Sequence, residues 1–358
     1  MKILHICETA IGGVASYLNL INDIGGDTTN VFVVPQDHAK ALDAELDVRP
    51  YPSPGRGLKG IWANIKATKQ AIRAESPDII FFHSSFSLLA LAAVRLGGDR
   101  RSAVYCAHGW AASMFEGGGL KRWLVQRLEG GLAGLATRVI NISESDLRLA
   151  KDSRYRGRHI LVENGVDDTT GETTGALFAS EPDVIHLLFV GRHDRQKGLD
   201  LLIEAFAKVG RERQDLRLHI VGSGVRSDGE AVDLPEGASL SGWISQAEID
   251  DWYASSDALV VPSRWEGFGL VVPEAFRNGT PVICSDRGAL PSLVEPDRTG
   301  KVFSLEGDDL EQCLRGLNKV ELQGYRASCR AAYEARFTAA RVRQQIGDLY
   351  SSLMDAPA

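Results

Sequence analysis

Hydrophobic and polar positions along the chain fall into two alternating patterns. Short, nearly continuous apolar runs come first: KILHIC (2–7), TNVFVV (29–34), DIIFFH (78–83), SAVYCAH (102–108) and RVINIS (138–143). A second series follows in VIHLLFVG (184–191), LRLHIVG (216–222), ALVVPS (258–263) and PVICSD (281–286). Runs this short without a polar face predict strands buried on both sides of a sheet. Between them, apolar positions three and four apart predict helices, as in GLDLLIEAFAKVGRE (198–212) and SQAEIDDWYASS (245–256). From about Tyr325 the pattern is helical and carries no strand. Two successive strand–helix series predict an α/β chain of two doubly wound, Rossmann-like domains. Such domains place ligands in a cleft at the carboxyl ends of their strands. The Thr-, Gly- and Asp-rich interval DDTTGETTGALFASEP (167–182) reads as the linker, giving domains over 1–166 and 183–337.

Composition agrees with this and narrows the chemistry. At 358 residues the chain exceeds the usual size of one core, and 44% hydrophobic with 24% charged residues is ordinary for a folded domain. The net charge of −7 is uneven, because basic residues outnumber acidic ones before residue 167 and acidic residues dominate after it. That balance speaks against general nucleic-acid binding and permits the first half alone to meet an anionic surface. Cys7, Cys106, Cys284, Cys313 and Cys329 are scattered without zinc-ligand spacing, so neither a metal finger nor a disulfide framework is expected. No apolar run approaches the ~18 residues of a membrane span, and MKILHICETA lacks a signal-peptide layout. A reducing cytoplasm is the expected location.

The densest chemical signal is EGFGLVVPEAFRNGTPVIC (266–284), with Glu266 and Glu274 on either side of a Gly-Phe-Gly turn. Pro273 suits the first position of a helix. A backbone-rich loop entering a helix suits an anionic or hydroxyl-rich ligand. Upstream, Arg192 and Lys197 follow a strand and precede a helix start at Gly198, where they would neutralise a diphosphate. Taken singly, they read more readily as solvated surface charge. VGSG (221–224) and SGW (241–243) are strand-to-turn junctions; alone, the first is an ordinary turn and Trp243 an ordinary core aromatic. Glu274 by itself also reads as a residue compensating a helix dipole. His108 ends an apolar strand and reads either as structural or as facing the cleft, with His83 placed comparably. Ser143 and Asp146 read as helix capping alone.

Taken together, GRHDRQKG, VGSG, SGW, PSRWEGFGLVVPEA and GTPVICSD resemble, in order and spacing, the donor domain of family 4 glycosyltransferases, retaining enzymes of the GT-B fold. Glu266 to Glu274 matches that family's Glu-x7-Glu element, and GGVASY (12–17), HGW (108–110) and ENGVD (163–167) resemble its acceptor domain. His193 departs from it, since an apolar residue is common there. The resemblance implies that Arg192 and Lys197 bind the diphosphate and stabilise the leaving nucleotide. It implies that Glu274 accepts ribose hydroxyls and that Glu266 contacts the transferred sugar. Gly267, Phe268, Gly269 and Leu270 would present N–H groups, and Gly222, Gly224 and Trp243 would surround the base. Gly12 and Gly13 would close over the diphosphate, His108 would reach a sugar hydroxyl or the acceptor, and the last helix (about 338–358) would return to the first domain. No D-x-D motif occurs, so no metal or other cofactor is expected, and fixed cations and main-chain dipoles take the metal's place. A UDP-sugar is favoured over a GDP-sugar. The amphipathic, cationic stretches 57–75 and 120–134 suit an anionic bilayer or, equally, a half-buried helix face; on the first reading the acceptor is a lipid-linked saccharide at the inner face of the cell membrane. A phosphorylase, an epimerase or a non-catalytic sugar-nucleotide binder are the alternatives.

Overall fold

A computed structural model describes residues 1–55, 57–115, 119–169, 171, 173–222 and 234–355, and the chain divides into two compact units. The first comprises Met1–Asn164 and the C-terminal stretch from Ala339. Its seven strands are β1 (Lys2–Cys7), β2 (Thr29–Pro35), β3 (Asp47–Tyr51), β4 (Ile79–His83), β5 (Ser102–Cys106), β6 (Arg138–Asn141) and β7 (His159–Leu161). They form one parallel sheet in the order β3-β2-β1-β4-β5-β6-β7. The helices α1 (Gly13–Asn22), α2 (Leu58–Glu75), α3 (Ser87–Leu96), α4 (Leu120–Ala133) and α5 (Glu144–Asp152) connect them. α3 packs against both α2 and α4, whereas α1 packs against the last helix, Ala339–Met354.

The second unit, Gly165–Thr338, holds β8 (Ile185–Val190), β9 (Leu216–Val221), β10 (Ala238–Gly242), β11 (Ala258–Val261), β12 (Val282–Ser285) and β13 (Gly300–Phe303). Its parallel sheet runs β10-β9-β8-β11-β12-β13. Here α6 is Leu199–Val209, α7 Gln246–Ser255 and α8 Val271–Arg277. Strands β4, β11 and β12 are buried along their whole length, as their apolar runs require, whereas β9 leaves Arg217 and His219 half-buried.

Three expectations need correction. The interval 167–182 is built into the second unit: the Thr174 N–H donates to Asp251 Oδ1 at 2.6 Å, and the Phe178 ring stacks on His186 and His219 at 4.4 and 4.1 Å. Its turn-rich composition hid one aromatic anchor. Strands β3, β7, β10 and β13 were not read from the sequence. Pro273 is the third residue of α8, after the N-cap Leu270, where its missing N–H still removes no intrahelical bond.

Candidate functional site

In the second unit the carboxyl ends of β8, β9 and β11 are held close by glycines. Gly222 has φ +139°, and a Cβ there would lie 1.9 Å from the Gly191 carbonyl oxygen. Gly198, with φ +69°, N-caps α6, and its Cβ would sit 2.1 Å from the Pro262 carbonyl oxygen. Only glycine permits these approaches, so Lys197 is fixed immediately beside the end of β11. Its Nζ donates to Glu266 Oε1 at 2.6 Å, and the Ser263 hydroxyl donates to the same oxygen at 2.9 Å. The two side chains are 18% and 7% exposed, so the pair is nearly dry. Glu266 is fixed in turn by Ala289, whose N–H donates to its carbonyl oxygen at 3.1 Å.

Arg192 is different. Its side chain is 54% exposed and pairs with Asp194 at 3.0 Å, with a longer bond to Gln196 at 3.4 Å. Glu274 accepts from the Tyr253 hydroxyl at 2.9 Å. Burial pushes the Glu274 carboxyl above its usual range, against the opposing pull of Arg277. Arg277 is locked on Asp250 at 2.7 Å. The turn between the glutamates is set by Gly269 at φ +94°, which turns Phe268 into the core against Phe337, 6.2 Å away. Gly267 and Leu270 flank it, and α8 carries no side-chain cap. Trp243 is 78% exposed, which corrects the core-aromatic alternative and leaves its ring face open to a planar group. Gly224 lies outside the described residues.

In the first unit Gly12, at φ +57°, caps α1, which begins at Gly13 without a side-chain cap or an acidic first turn. A Cβ at Gly12 would meet nothing within 4 Å. His108 adopts φ +56° and is joined to His83, Nε2 to Nδ1, at 2.9 Å. Burial lowers the His108 imidazole to about 3. Tyr17 packs edge-on against it at 4.8 Å. Ser143 caps α5 as read, accepting the Asp146 N–H at 3.1 Å. Asp146 does more than that. Its buried carboxyl, pushed up to about 7, accepts the N–H groups of Trp110 and Gly109, so it holds the backbone that follows His108. Glu129 holds the next turn by accepting from Ala111 at 3.2 Å.

Ser263, Tyr253 and Glu129 were therefore missed, and Asp146 was read only as part of a helix cap. On α2 and α4, Trp62 is 72% and Leu128 64% exposed, beside Lys59, Lys66, Lys121 and Arg127. Among the described residues no helix is long and apolar enough to cross a membrane.

Comparison with known proteins agrees with the two-unit α/β fold. The family described as "Glycosyl transferases group 1" matches residues 178–336, and "Glycosyltransferase Family 4" matches 11–170. The chain is 28% identical to an uncharacterised 41.2 kDa protein of the cps region of Klebsiella pneumoniae, over 86% of this chain and 87% of that one. It is 36% identical to a D-inositol 3-phosphate glycosyltransferase of Arthrobacter, over 32% of this chain and 30% of the relative. Among solved structures, sucrose-phosphate synthase from Thermosynechococcus elongatus shares the fold with a TM-score of 0.83 at 18% identity, over 99% of each chain. HepE of Anabaena, solved in complex with UDP-glucose, gives 0.78 at 20% identity over 98% of this chain and 100% of that one.

Proposed function

The chain belongs to the family 4 glycosyltransferases of the GT-B fold, and from that premise we propose that it moves a hexosyl or N-acetylhexosaminyl group from a UDP-sugar to a saccharide acceptor with retention of anomeric configuration. The observation that carries the donor assignment is the Lys197–Glu266 pair at 2.6 Å beside the Gly-Phe-Gly turn. Cleaving a nucleotide sugar builds negative charge on the departing diphosphate. Lys197 and Arg192 supply the cations that stabilise it, which is the main electrostatic demand of the step. Glu266 faces the transferred sugar's hydroxyls, and Glu274, oriented by Tyr253, accepts from the ribose. No metal enters this scheme, since the sequence offers no D-x-D motif. The UDP preference draws support from HepE, whose structure holds UDP-glucose. A role in cell-surface polysaccharide assembly draws support from the cps-region relative. The cationic, partly apolar faces of α2 and α4 would dock on the inner leaflet and meet a lipid-linked acceptor.

A thermal-shift series with UDP, GDP, ADP and their sugars, run in EDTA, tests the donor reading. Stabilisation by UDP without a divalent ion supports it, and unchanged melting with every nucleotide refutes it. Donor binding without transfer or slow donor hydrolysis would instead make the chain a non-catalytic binder.

A further inference from the structure

Three histidines of the first unit form one hydrogen-bonded line across a sheet face. Asn30 on β2 meets His5 Nε2 through Oδ1 at 3.1 Å. His5 Nδ1 meets His83 Nε2 at 3.1 Å, and His83 Nδ1 meets His108 Nε2 at 2.9 Å. His5 and His83 are fully buried, and the face is covered by aromatic rings: His5 stacks on Phe32 at 4.6 Å and His83 on Phe81 at 4.1 Å.

The direction of every proton in this line follows from Asn30. Its amide nitrogen lies 2.9 Å from the Asn22 carbonyl oxygen and 3.3 Å from that of Ile21, and both of those atoms only accept. The NH2 group must therefore face them, and Oδ1 must face His5. An oxygen acceptor requires His5 Nε2 to carry hydrogen. Burial holds His5 down to about 4 and lowers His83 as well, so each ring is neutral at pH 7 and carries a single N–H. His5 Nδ1 is then a bare acceptor, so His83 Nε2 must donate. By the same step His83 Nδ1 accepts and His108 Nε2 donates. Only Nδ1 of His108 remains, as a lone-pair acceptor with no partner among the described residues.

We propose that Asn30, His5 and His83 are positioning residues that lock His108 in its Nε2–H tautomer, so that Nδ1 accepts a hydrogen bond from a ligand hydroxyl and disfavours a carbonyl or carboxylate at that position. The hydroxyl's membership of a saccharide rests on the glycosyltransferase reading; the tautomer does not. Leaving a donor-requiring site unmatched is a strong discriminator, because an oxygen acceptor facing a nitrogen lone pair gains no bond and loses its water.

The test is a long-range 1H–15N correlation spectrum of the 15N-histidine-labelled full chain at pH 7.5, which identifies the protonated nitrogen of each ring directly. The expected result is hydrogen on Nε2 of His5, His83 and His108, with Nδ1 of all three unprotonated. In Asn30→Leu the second tautomer should appear at His5 and propagate to His108. In His83→Phe, His108 should sample both tautomers. Hydrogen on Nδ1 of His108 in the wild-type chain overturns the proposal even where neither variant folds. An unchanged His108 tautomer in both folded variants overturns it too. Because no nucleotide sugar is present, a failure here is separable from a failure of the transferase reading. If both hold, a donor or acceptor lacking the matched hydroxyl should lose about tenfold in kcat/KM with wild type and markedly less with Asn30→Leu.

Discussion

Replacing Lys197 with methionine should cost stability, because it breaks the Glu266 pair, and, on the proposed function, donor binding as well. The side chain is volume-matched, but Glu266 would be left 7% exposed, with Ser263 as its remaining side-chain donor. Removing one partner of a buried ion pair costs about 3–5 kcal/mol. The 18% exposure of Lys197 and the surviving Ser263 bond bring the cost to or just below the bottom of that range, about 2–3 kcal/mol. For a unit of this size that lowers Tm by roughly 5–10 °C. The double variant Lys197→Met, Glu266→Gln removes both charges, keeps the Ser263 bond, and should recover most of the loss. Differential scanning fluorimetry in EDTA, with and without UDP at about 100 times Kd, reads both effects. Saturating ligand at that excess stabilises wild type by about 2.7 kcal/mol. The ammonium's charge-assisted bond to phosphate is worth about 1.5–3 kcal/mol, so the double variant should bind UDP roughly 10- to 100-fold more weakly. A Lys197→Met protein that melts like wild type refutes the stabilising role of the pair. A double variant that UDP stabilises as well as wild type refutes the diphosphate role of Lys197.

Three further outcomes follow from the geometry. His5 is neutral in the folded chain down to about 4 against an unfolded value near 6.5, so its contribution is present above pH 6.5 and lost as pH falls through that window. The stability gap between wild type and His5→Leu, from urea unfolding, should shrink by about 1.4 kcal/mol per pH unit between 6.5 and 4, and a constant gap contradicts this. Gly222→Ala places a methyl 1.9 Å from a carbonyl oxygen and should cost more than about 2 kcal/mol, whereas Gly12→Ala meets nothing and pays roughly 1–2 kcal/mol for its positive φ; equal melting temperatures would contradict the strand-end contact. Tyr253→Phe removes the hydroxyl from Glu274 and should lower stability by about 1–2 kcal/mol and weaken UDP binding in calorimetry, and wild-type values for both would show Glu274 to be oriented by other means.

The sequence showed the interior of each sheet and hid its borders. The four strands it did not reveal, β3, β7, β10 and β13, are the two edges of each sheet. An edge strand is paired on one side only and is short or polar, so it lacks the continuous apolar run that marks its neighbours. β10 reads ASLSG, and β3 carries Pro50 inside its five residues, whereas the proline of the interior strand β2 is confined to its last position. Site residues divide similarly. Glu266, Glu274 and Lys197 stand in a spaced motif and were legible. Tyr253 and Ser263 act on them through tertiary contact, from α7 and from the loop after β11, and no local pattern marks a tyrosine or serine for that task.

Motif reading also treats Arg192 and Lys197 as available positive charge, and the structure gives each a carboxylate partner. The pairing is compatible with diphosphate binding because of donor capacity. An ammonium has three N–H donors and a guanidinium five. Glu266 takes one from Lys197, while Asp194 and Gln196 both draw on a single nitrogen of Arg192. A phosphate can then be added to either cation without breaking the existing bond, so the carboxylates fix the direction of the charge at some cost to its strength. Glu266→Gln separates these two roles. If orientation dominates, the amide loosens Lys197 and weakens UDP binding although a negative charge has gone. If net charge dominates, UDP binds more tightly to the variant than to wild type, and the salt dependence of Kd steepens as the local field becomes more positive. The pair's dryness favours orientation, since a nearly buried ammonium without its carboxylate has few other ways to hold one position.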